Sequence, residues 1–343
     1  MNDSEPTTMD KAAWLAQVSE DIIEPDLPIC DPHHHLWDKN GSRYLLHELL
    51  EDTGSGHNIV STVFVECASM YRATGPEALK PVGETEFVQG QAAMSASGEY
   101  GNTLVAAGIV SFADLCLGAD VRPVLEAHIA ASPNRFRGIR HAVSFHSDER
   151  IRNAHTHPPE HLMLDERFRT GFAELERLGL TFDAWFYHHQ LAEFIDLART
   201  FPNVSIVLDH LGGPLGIGPY EGKSAEVFAV WKDHISELSE CMNVHLKLGG
   251  INMKVNGHQW HKRDKPPGSD ELANTNGPWF EHCIDSFGAD RCMFESNFPV
   301  DKESASYPVI WNAFKKLSAG RSPEEKSALF HDTATRFYRL APA

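Results

Sequence analysis

The chain has 343 residues, 42% of them hydrophobic, which is enough to bury the core of one large barrel or two ordinary domains. It carries 48 Asp and Glu against 30 Lys and Arg, a formal net charge of −18. That charge argues against nucleic acid as a partner, although a few cations inside a cleft would still attract a small anionic substrate.

Residues 1–27 are predicted to form an N-terminal extension with a short amphipathic helix near Met9–Ile22. The acidic start has no apolar core of the kind found in signal peptides, and no apolar run approaches the roughly 20 residues of a membrane helix. Six scattered cysteines without a CxxC pair are typical of free thiols in a reducing compartment. We therefore expect a cytoplasmic protein with no membrane partner, and a homo-oligomer is compatible with the sequence.

From residue 28 onward, short apolar or β-branched runs alternate with segments of helical periodicity. Eight strands alternating with helices predict one (β/α)8 TIM barrel over 28–343. A doubly wound open sheet is the alternative, and the lack of a Gly-rich loop after the first strand disfavours it. The predicted strands are Leu27–Asp31, Ile59–Glu66, Thr103–Phe112, Phe136–Val143, Leu180–Tyr187, Val204–Asp209, Val244–Leu248 and Arg291–Glu295.

Two long loops follow the fourth and seventh predicted strands, at the rim where barrel enzymes bind their substrates. The first contains His155, His157 and His161 among Pro and polar residues, and we expect these histidines to be solvated. The second contains "HQWH", ending at His261, and it is either a lid over a ring-shaped substrate or a surface loop packed at a subunit interface.

The segment "DPHHHLWD" lies where the first strand ends. Because alternate residues of a strand face the same side, His33 and His35 are predicted to face one side and His34 the other. Two imidazoles at the catalytic end of a barrel suit a divalent metal ion. An HxH pair alone often occurs by chance, so polar residues at the ends of other strands must support its assignment to a site.

Several other predicted strands also end in polar side chains. Arg140 would be a bidentate clamp for a substrate carboxylate, and Lys247 on an inner barrel face needs a partner or a substrate. His210 falls just where the sixth strand ends, and Glu295 shares a face with Asn297 in the eighth. Further candidates for contact with the substrate are Glu66, Tyr187, His189 and His261.

In order and spacing, the motifs "DPHHHLWD", "RFRGIR", "VLDHLGGP", "LKLGGI" and "RCMFESNFPVDK" resemble the amidohydrolase superfamily. The most similar branch contains the sugar-acid lactonases and pyrone-dicarboxylate lactonase. The resemblance covers roughly residues 28–340. It implies a TIM barrel in which His33 and His35 form the HxH pair of the first strand. It further implies that His210 is the histidine of the sixth strand and that Arg140 and Lys247 face the pocket.

Two departures from the family pattern change the expected chemistry. The fourth strand carries Arg140 and no ligating lysine, which makes a two-metal centre improbable. The eighth strand carries Asn297 where the family usually has an aspartate, and an amide is not a general base at neutral pH. We favour His210 as the base, with Asp301 second and Glu295 third. The alternative for Glu295 is a purely structural role, in which it forms an ion pair with Lys247 or Arg140.

His33, His35 and His210 would give a catalytic ion three neutral ligands, so we expect either one divalent metal, Zn²⁺ or Mn²⁺, or a metal-free site. The leading hypothesis is a hydrolase that opens a lactone or similar cyclic ester of a carboxylated small molecule. In that reaction the HxH pair or its metal would stabilise the oxyanion. The alternatives are a non-oxidative decarboxylase of an aromatic or unsaturated acid and a catalytically silent barrel that binds a metabolite.

Overall fold

The computed structural model describes residues 11–39 and 41–341 and shows the predicted (β/α)8 barrel. Eight parallel strands lie side by side in chain order, so each strand pairs with the next one along the sequence. All eight predicted strands are present, most of them with different ends. They are β1 (Ile29–His34), β2 (Ile59–Val65), β3 (Leu104–Ser111), β4 (Phe136–Ile139), β5 (Thr181–Ala184), β6 (Ile206–Leu208), β7 (Val244–Leu248) and β8 (Cys292–Phe294).

Helices cover the outside of the barrel, and their apolar faces pack on the outward side chains of the strands. No helix among the described residues is long and apolar enough to cross a bilayer. A small antiparallel hairpin, Trp37–Lys39 with Ser42–Tyr44, follows β1. The helices are α1 (Lys11–Leu15), α2 (Leu46–Thr53), α3 (Val82–Ser95), α4 (Arg122–Ala131), α5 (Glu166–Leu178), α6 (Leu191–Thr200), α7 (Ser224–Leu238), α8 (Ser269–Phe287), α9 (Tyr307–Leu317), α10 (Pro323–Ser327) and α11 (Thr333–Phe337), with a π-helical turn (Ala328–Asp332) joining the last two.

The N-terminal helix is shorter than predicted, since it ends at Leu15, and part of the predicted segment, Met9 and Asp10, lies outside the described residues. Beyond it, the chain bonds to the outer helices of the barrel instead of forming its own helical turns. The Glu20 carboxylate accepts hydrogen bonds from the Ser269 backbone and side chain, and the Ile23 amide donates to Asn312 Oδ1 at 3.0 Å.

The seam between β1 and β8 is held chiefly by a side chain. Backbone pairing there is confined to the flanking residues, where the His35 amide donates to the Phe298 carbonyl at 2.8 Å. The buried Asp31 carboxylate spans the seam and accepts from the Ser296 amide at 3.0 Å, the Ser296 hydroxyl at 2.5 Å and the Tyr307 hydroxyl at 2.9 Å. Asp31 therefore holds the strand end that carries the HxH pair against the strand end that carries Asn297.

Candidate active site

A cavity of about 450 Å³ lies over the carboxyl ends of the strands. Its walls come from the hairpin after β1, the long loop after β4, the end of β5 and the loop after β7. The volume falls in the range of small-molecule sites. The walls combine aromatic rings with cations, and no Asp or Glu is among the described residues that line them. The lining includes His35, Lys39, Arg140, Arg152, His155, Trp185, Tyr187, His210 and Asn297.

His33 lies at the centre of a fully buried polar cluster below this cavity. Its Nε2 lies 3.3 Å from Arg140 Nη1, which can only donate, so the ring carries its proton on Nδ1. That Nδ1 lies 2.7 Å from Glu295 Oε2 and 3.2 Å from Lys247 Nζ. Burial and the charge of Lys247 lower the pKa of His33, which keeps the ring neutral. Both ring nitrogens are therefore engaged within the protein.

Arg140 lines the cavity, but most of its hydrogen-bonding capacity is used beneath it. Its Nε donates to Glu66 Oε1 at 2.8 Å, its Nη2 to the Glu66 carbonyl at 2.6 Å, and its Nη1 to Asp209 Oδ2 at 3.2 Å. With the contact to His33, four of the five guanidinium N–H groups are engaged. One N–H remains for a ligand, which is too few for the bidentate clamp that the sequence suggested.

Lys247 is fully buried and lies outside the cavity lining. Its ammonium lies 2.6 Å from Asp183 Oδ2 and 3.0 Å from Asp209 Oδ1. Burial alone would lower the pKa of Lys247, but these two carboxylates outweigh burial and raise it. Its role in substrate binding stays a prediction, because its observed partners are two aspartates and His33.

His210 and Glu295 form a carboxylate–imidazole pair at the floor of the cavity. His210 Nδ1 donates to Glu295 Oε1 at 2.6 Å, so Nε2 is the free acceptor of a ring that lines the cavity. Burial alone would raise the pKa of Glu295, but His210 and His33 hold it at about 2. The partners of Glu295 are thus two histidines, and not Lys247 or Arg140 as the sequence interpretation considered.

His35 lines the cavity next to this pair. Its Nδ1 lies 2.7 Å from the Val65 carbonyl, which can only accept, so the proton is on Nδ1. Burial, together with the charge of Arg140, keeps the pKa of His35 well below its usual value. The neutral ring offers a lone pair at Nε2, which suits a metal ion or a hydroxyl donor and cannot donate to an oxyanion.

Asn297 lines the cavity and Asp301 lies behind it. Asn297 Nδ2 donates to Asp301 Oδ1 at 3.1 Å, which fixes the orientation of the amide. Burial raises the pKa of Asp301 to about 7. Because Asp301 is outside the lining of the cavity, its direct contact is with Asn297 and not with a ligand.

The remaining predicted substrate contacts occupy different positions. Glu66 lies under Arg140, outside the cavity lining. The Tyr187 ring lines the cavity, but its hydroxyl donates to the Arg152 carbonyl. His189 is exposed and packs edge-on against His146, and neither it nor His261 is among the lining residues.

The sequence did not indicate four side chains that lie in or under the cavity. Asp183 lies on β5, and Asp209 directly precedes His210. Neither position in the sequence indicates that its carboxylate binds a buried cation. Lys39 lies in the hairpin after β1 and Arg152 in the loop after β4, so alternation along the eight barrel strands gives no guidance for either residue. His155 is exposed, as expected, but its Nε2 also lies 3.3 Å from Glu66 Oε2, and it lines the cavity.

The backbone at the floor of the cavity adopts left-handed conformations that non-glycine residues rarely take. His210 has φ 53° and Asn297 has φ 55°. Gly250, with φ 64°, packs so closely on the His210 ring that a Cβ there would lie 1.9 Å from its Nδ1. Both His210 and Asn297 line the cavity, so two of the left-handed residues of the described chain carry groups of the site.

The family model described as amidohydrolase matches residues 30–340. This chain belongs to the amidohydrolase family. The uncharacterized protein y4mH of Sinorhizobium fredii is 35% identical over 338 residues, which cover 92% of this chain and 99% of that protein. An L-fucono-1,5-lactonase of Burkholderia ambifaria is 26% identical over 285 residues, 79% of this chain and 87% of the lactonase. The family assignment and the lactonase relative identify this amidohydrolase as a hydrolase.

Solved structures of related proteins share the fold of this amidohydrolase. An amidohydrolase of Burkholderia multivorans with bound zinc superposes with a TM-score of 0.67 at 23% identity, covering 91% of this chain and 99% of that chain. A 2-pyrone-4,6-dicarboxylic acid hydrolase of Pseudomonas putida, described as putative, superposes with a TM-score of 0.58 at 16% identity, with 92% and 99% covered. At these identities the likeness concerns the fold alone.

In this amidohydrolase, His33, His210 and Glu295 form a group whose possible ligand atoms lie within 4.8 Å of one another. Two imidazoles and a carboxylate fit one divalent ion. The buried cluster also favours a cation, because the carboxylates of Glu66, Asp183, Asp209 and Glu295 outnumber Arg140 and Lys247 by two charges. An ion would have to displace the bonds that these groups already make. His35 lies outside the group, and its metal role stays a prediction.

Proposed function

We propose that this hydrolase opens a lactone, or a similar cyclic ester, of a carboxylated small molecule. The observation that carries the proposal is the cavity itself, whose walls contain Lys39, Arg140 and Arg152 but no carboxylate among the described residues. In a protein of net charge −18, such a concentration of cations favours an anionic ligand. The rings of Trp185 and Tyr187 offer apolar surface to a cyclic molecule. The lactonase relatives support the same class of reaction.

In the proposed mechanism, His210 is the general base. Glu295 holds Nδ1–H, so that Nε2 can take a proton from water as it attacks the lactone carbonyl. The imidazolium that forms is stabilised by the ionised carboxylate 2.6 Å away. It can then return the proton to the alkoxide leaving group as the ring opens. The free N–H of Arg140 would stabilise the developing oxyanion.

The donor set His33, His210 and Glu295 would also hold one divalent ion, which when bound supplies a Lewis acid that lowers the pKa of water. His210 would then be a ligand, and its ring could not serve as the base. Removal of metal separates the two roles. We expect protein dialysed against a chelator to keep its activity. Loss of activity on chelation with recovery on adding Zn²⁺ or Mn²⁺ would reassign His210 and Glu295 as ligands.

The test of the function is proton release in a pH-indicator assay with aldonolactones, muconolactones and pyrones. We expect hydrolysis of at least one carboxylated lactone, and His210→Asn to lower kcat by about 10²–10⁴-fold. His282→Asn, on the outer surface of α8, is the matched control and should leave kcat unchanged. If the wild type hydrolyses none of these compounds, the lactonase proposal is rejected. Evolution of carbon dioxide from aromatic acids would favour the decarboxylase.

A further inference from the structure

The three cations of the cavity wall differ in how much charge and how many N–H groups remain available to bind a ligand. Arg140 is neutralised by two carboxylates and keeps one free N–H. Arg152 is exposed, lines the cavity and makes no ion pair with any carboxylate among the described residues. Lys39 donates to the Cys67 carbonyl, and its other two ammonium protons have no acceptor among the described residues. The uncompensated positive charge of the cavity is therefore on its loops and not on its floor.

The position of Arg152 is fixed by its surroundings. Tyr187 donates its hydroxyl to the Arg152 carbonyl, so the end of β5 anchors the loop after β4. The next two residues are held as well: Asn153 Oδ1 accepts from the His146 amide at 2.7 Å, and the Ala154 amide donates to the Ser144 carbonyl at 2.9 Å. An anchored backbone lowers the entropy lost when the Arg152 side chain binds a ligand.

Lys39 approaches the cavity from another side, on the hairpin after β1. Its ammonium lies 5.7 Å from the centre of the Trp37 ring, and this ring stacks on His35. Lys39 and Arg152 thus belong to two different loops that line one cavity. Two cations on separate segments of the cavity wall, neither paired with a carboxylate among the described residues, are the arrangement expected for an anion site.

We propose that Arg152 and Lys39 form the site that holds the carboxylate of the substrate, while Arg140 serves the reacting carbonyl. This inference rests on the proposed function and assigns its specificity to two loop residues. It predicts selection for a carboxylated lactone over its uncharged ester, with the acid group directed away from the barrel floor.

The experiment measures binding separately from turnover. The wild type is titrated calorimetrically with citrate, as a carboxylate probe, and with its trimethyl ester. Arg152→Met, Lys39→Met and the control Arg122→Met, on α4 and paired with Glu174, are treated alike. We expect citrate to bind at least tenfold more tightly than the ester. Each cavity variant should weaken citrate binding about tenfold or more, and the control should match the wild type.

For any lactone that is hydrolysed, we expect the same two variants to raise KM for the acid form while leaving kcat, and KM for the methyl ester, within about threefold. Equal affinity of the wild type for citrate and its ester, or unchanged citrate binding in both cavity variants, overturns the inference. If the wild type hydrolyses no lactone, but the two cavity variants bind citrate more weakly than the wild type does, only the proposed function is overturned.

Discussion

Replacement of Lys247 by methionine tests whether this lysine supports the fold or binds substrate. The change keeps most of the apolar volume and removes an ammonium that lies 2.6 Å from Asp183 and 3.0 Å from Asp209, all three being fully buried. Asp209 would keep Arg140, and Asp183 would keep only the Tyr338 hydroxyl at 2.7 Å. Breaking a buried ion pair by removing one partner typically costs about 3–5 kcal/mol. We expect a loss of that size for Lys247→Met.

The free energy of unfolding is measured in urea by tryptophan fluorescence. Asp183→Asn is combined with Lys247→Met in a double-mutant cycle, where we expect a coupling energy of about 1–3 kcal/mol because the two groups are in contact. Lys316→Met is the matched control, since Lys316 pairs with Asp270 on the surface and should cost less than about 1 kcal/mol.

If Lys247→Met costs no more than Lys316→Met, or if the changes at 183 and 247 are additive, then the buried ion pair does not stabilise the fold. A fully stable Lys247→Met protein with a raised KM for a carboxylated lactone would instead support the substrate-binding role predicted from the sequence. Stability and KM thus report separately on the two roles.

Three further predictions concern the packing of the site and the pH dependence of the fold. Gly250→Ala should lower kcat at least tenfold, measured by proton release, because its Cβ would displace the His210 ring; a kcat within twofold of the wild type would contradict this. Asp31→Asn should lower the free energy of unfolding by about 1–3 kcal/mol, since it replaces a carboxylate oxygen that accepts from Ser296 with an amide donor; an unchanged urea midpoint would show that the seam does not depend on this carboxylate. Burial lowers the pKa of His128 to about 4, below its unfolded value near 6.5, so the unfolded chain binds the proton first on acidification. The contribution of His128 to the free energy of unfolding, which is present above pH 6.5, should therefore fall by about 2 kcal/mol between pH 7 and 5. The decline in the free energy of unfolding should be smaller in His128→Gln, and equal pH slopes for the variant and the wild type would contradict this prediction.

The order of the strands and the location of the site followed from local features of the sequence. Parallel strands in a βα repeat must bring their carboxyl ends to one rim, so polar residues at strand ends such as His33, His210 and Asn297 were expected to meet there. Strand alternation also placed His33 towards the interior of the barrel, where it is fully buried. The alternation of side chains along each strand and the repeat of strands and helices are sufficient to predict the strand order and the end of the barrel that carries the site.

The pairing of charges was decided by the tertiary structure. The sequence shows that Arg140, Lys247 and Glu295 end strands, but their partners depend on which carboxylate lies nearest in three dimensions. Electrostatic energy in a buried site varies steeply with distance and burial, and neither quantity is encoded by spacing along the chain. For the same reason the floor cations are neutralised, and the free positive charge rests on loop residues such as Arg152, whose position only the folded chain reveals.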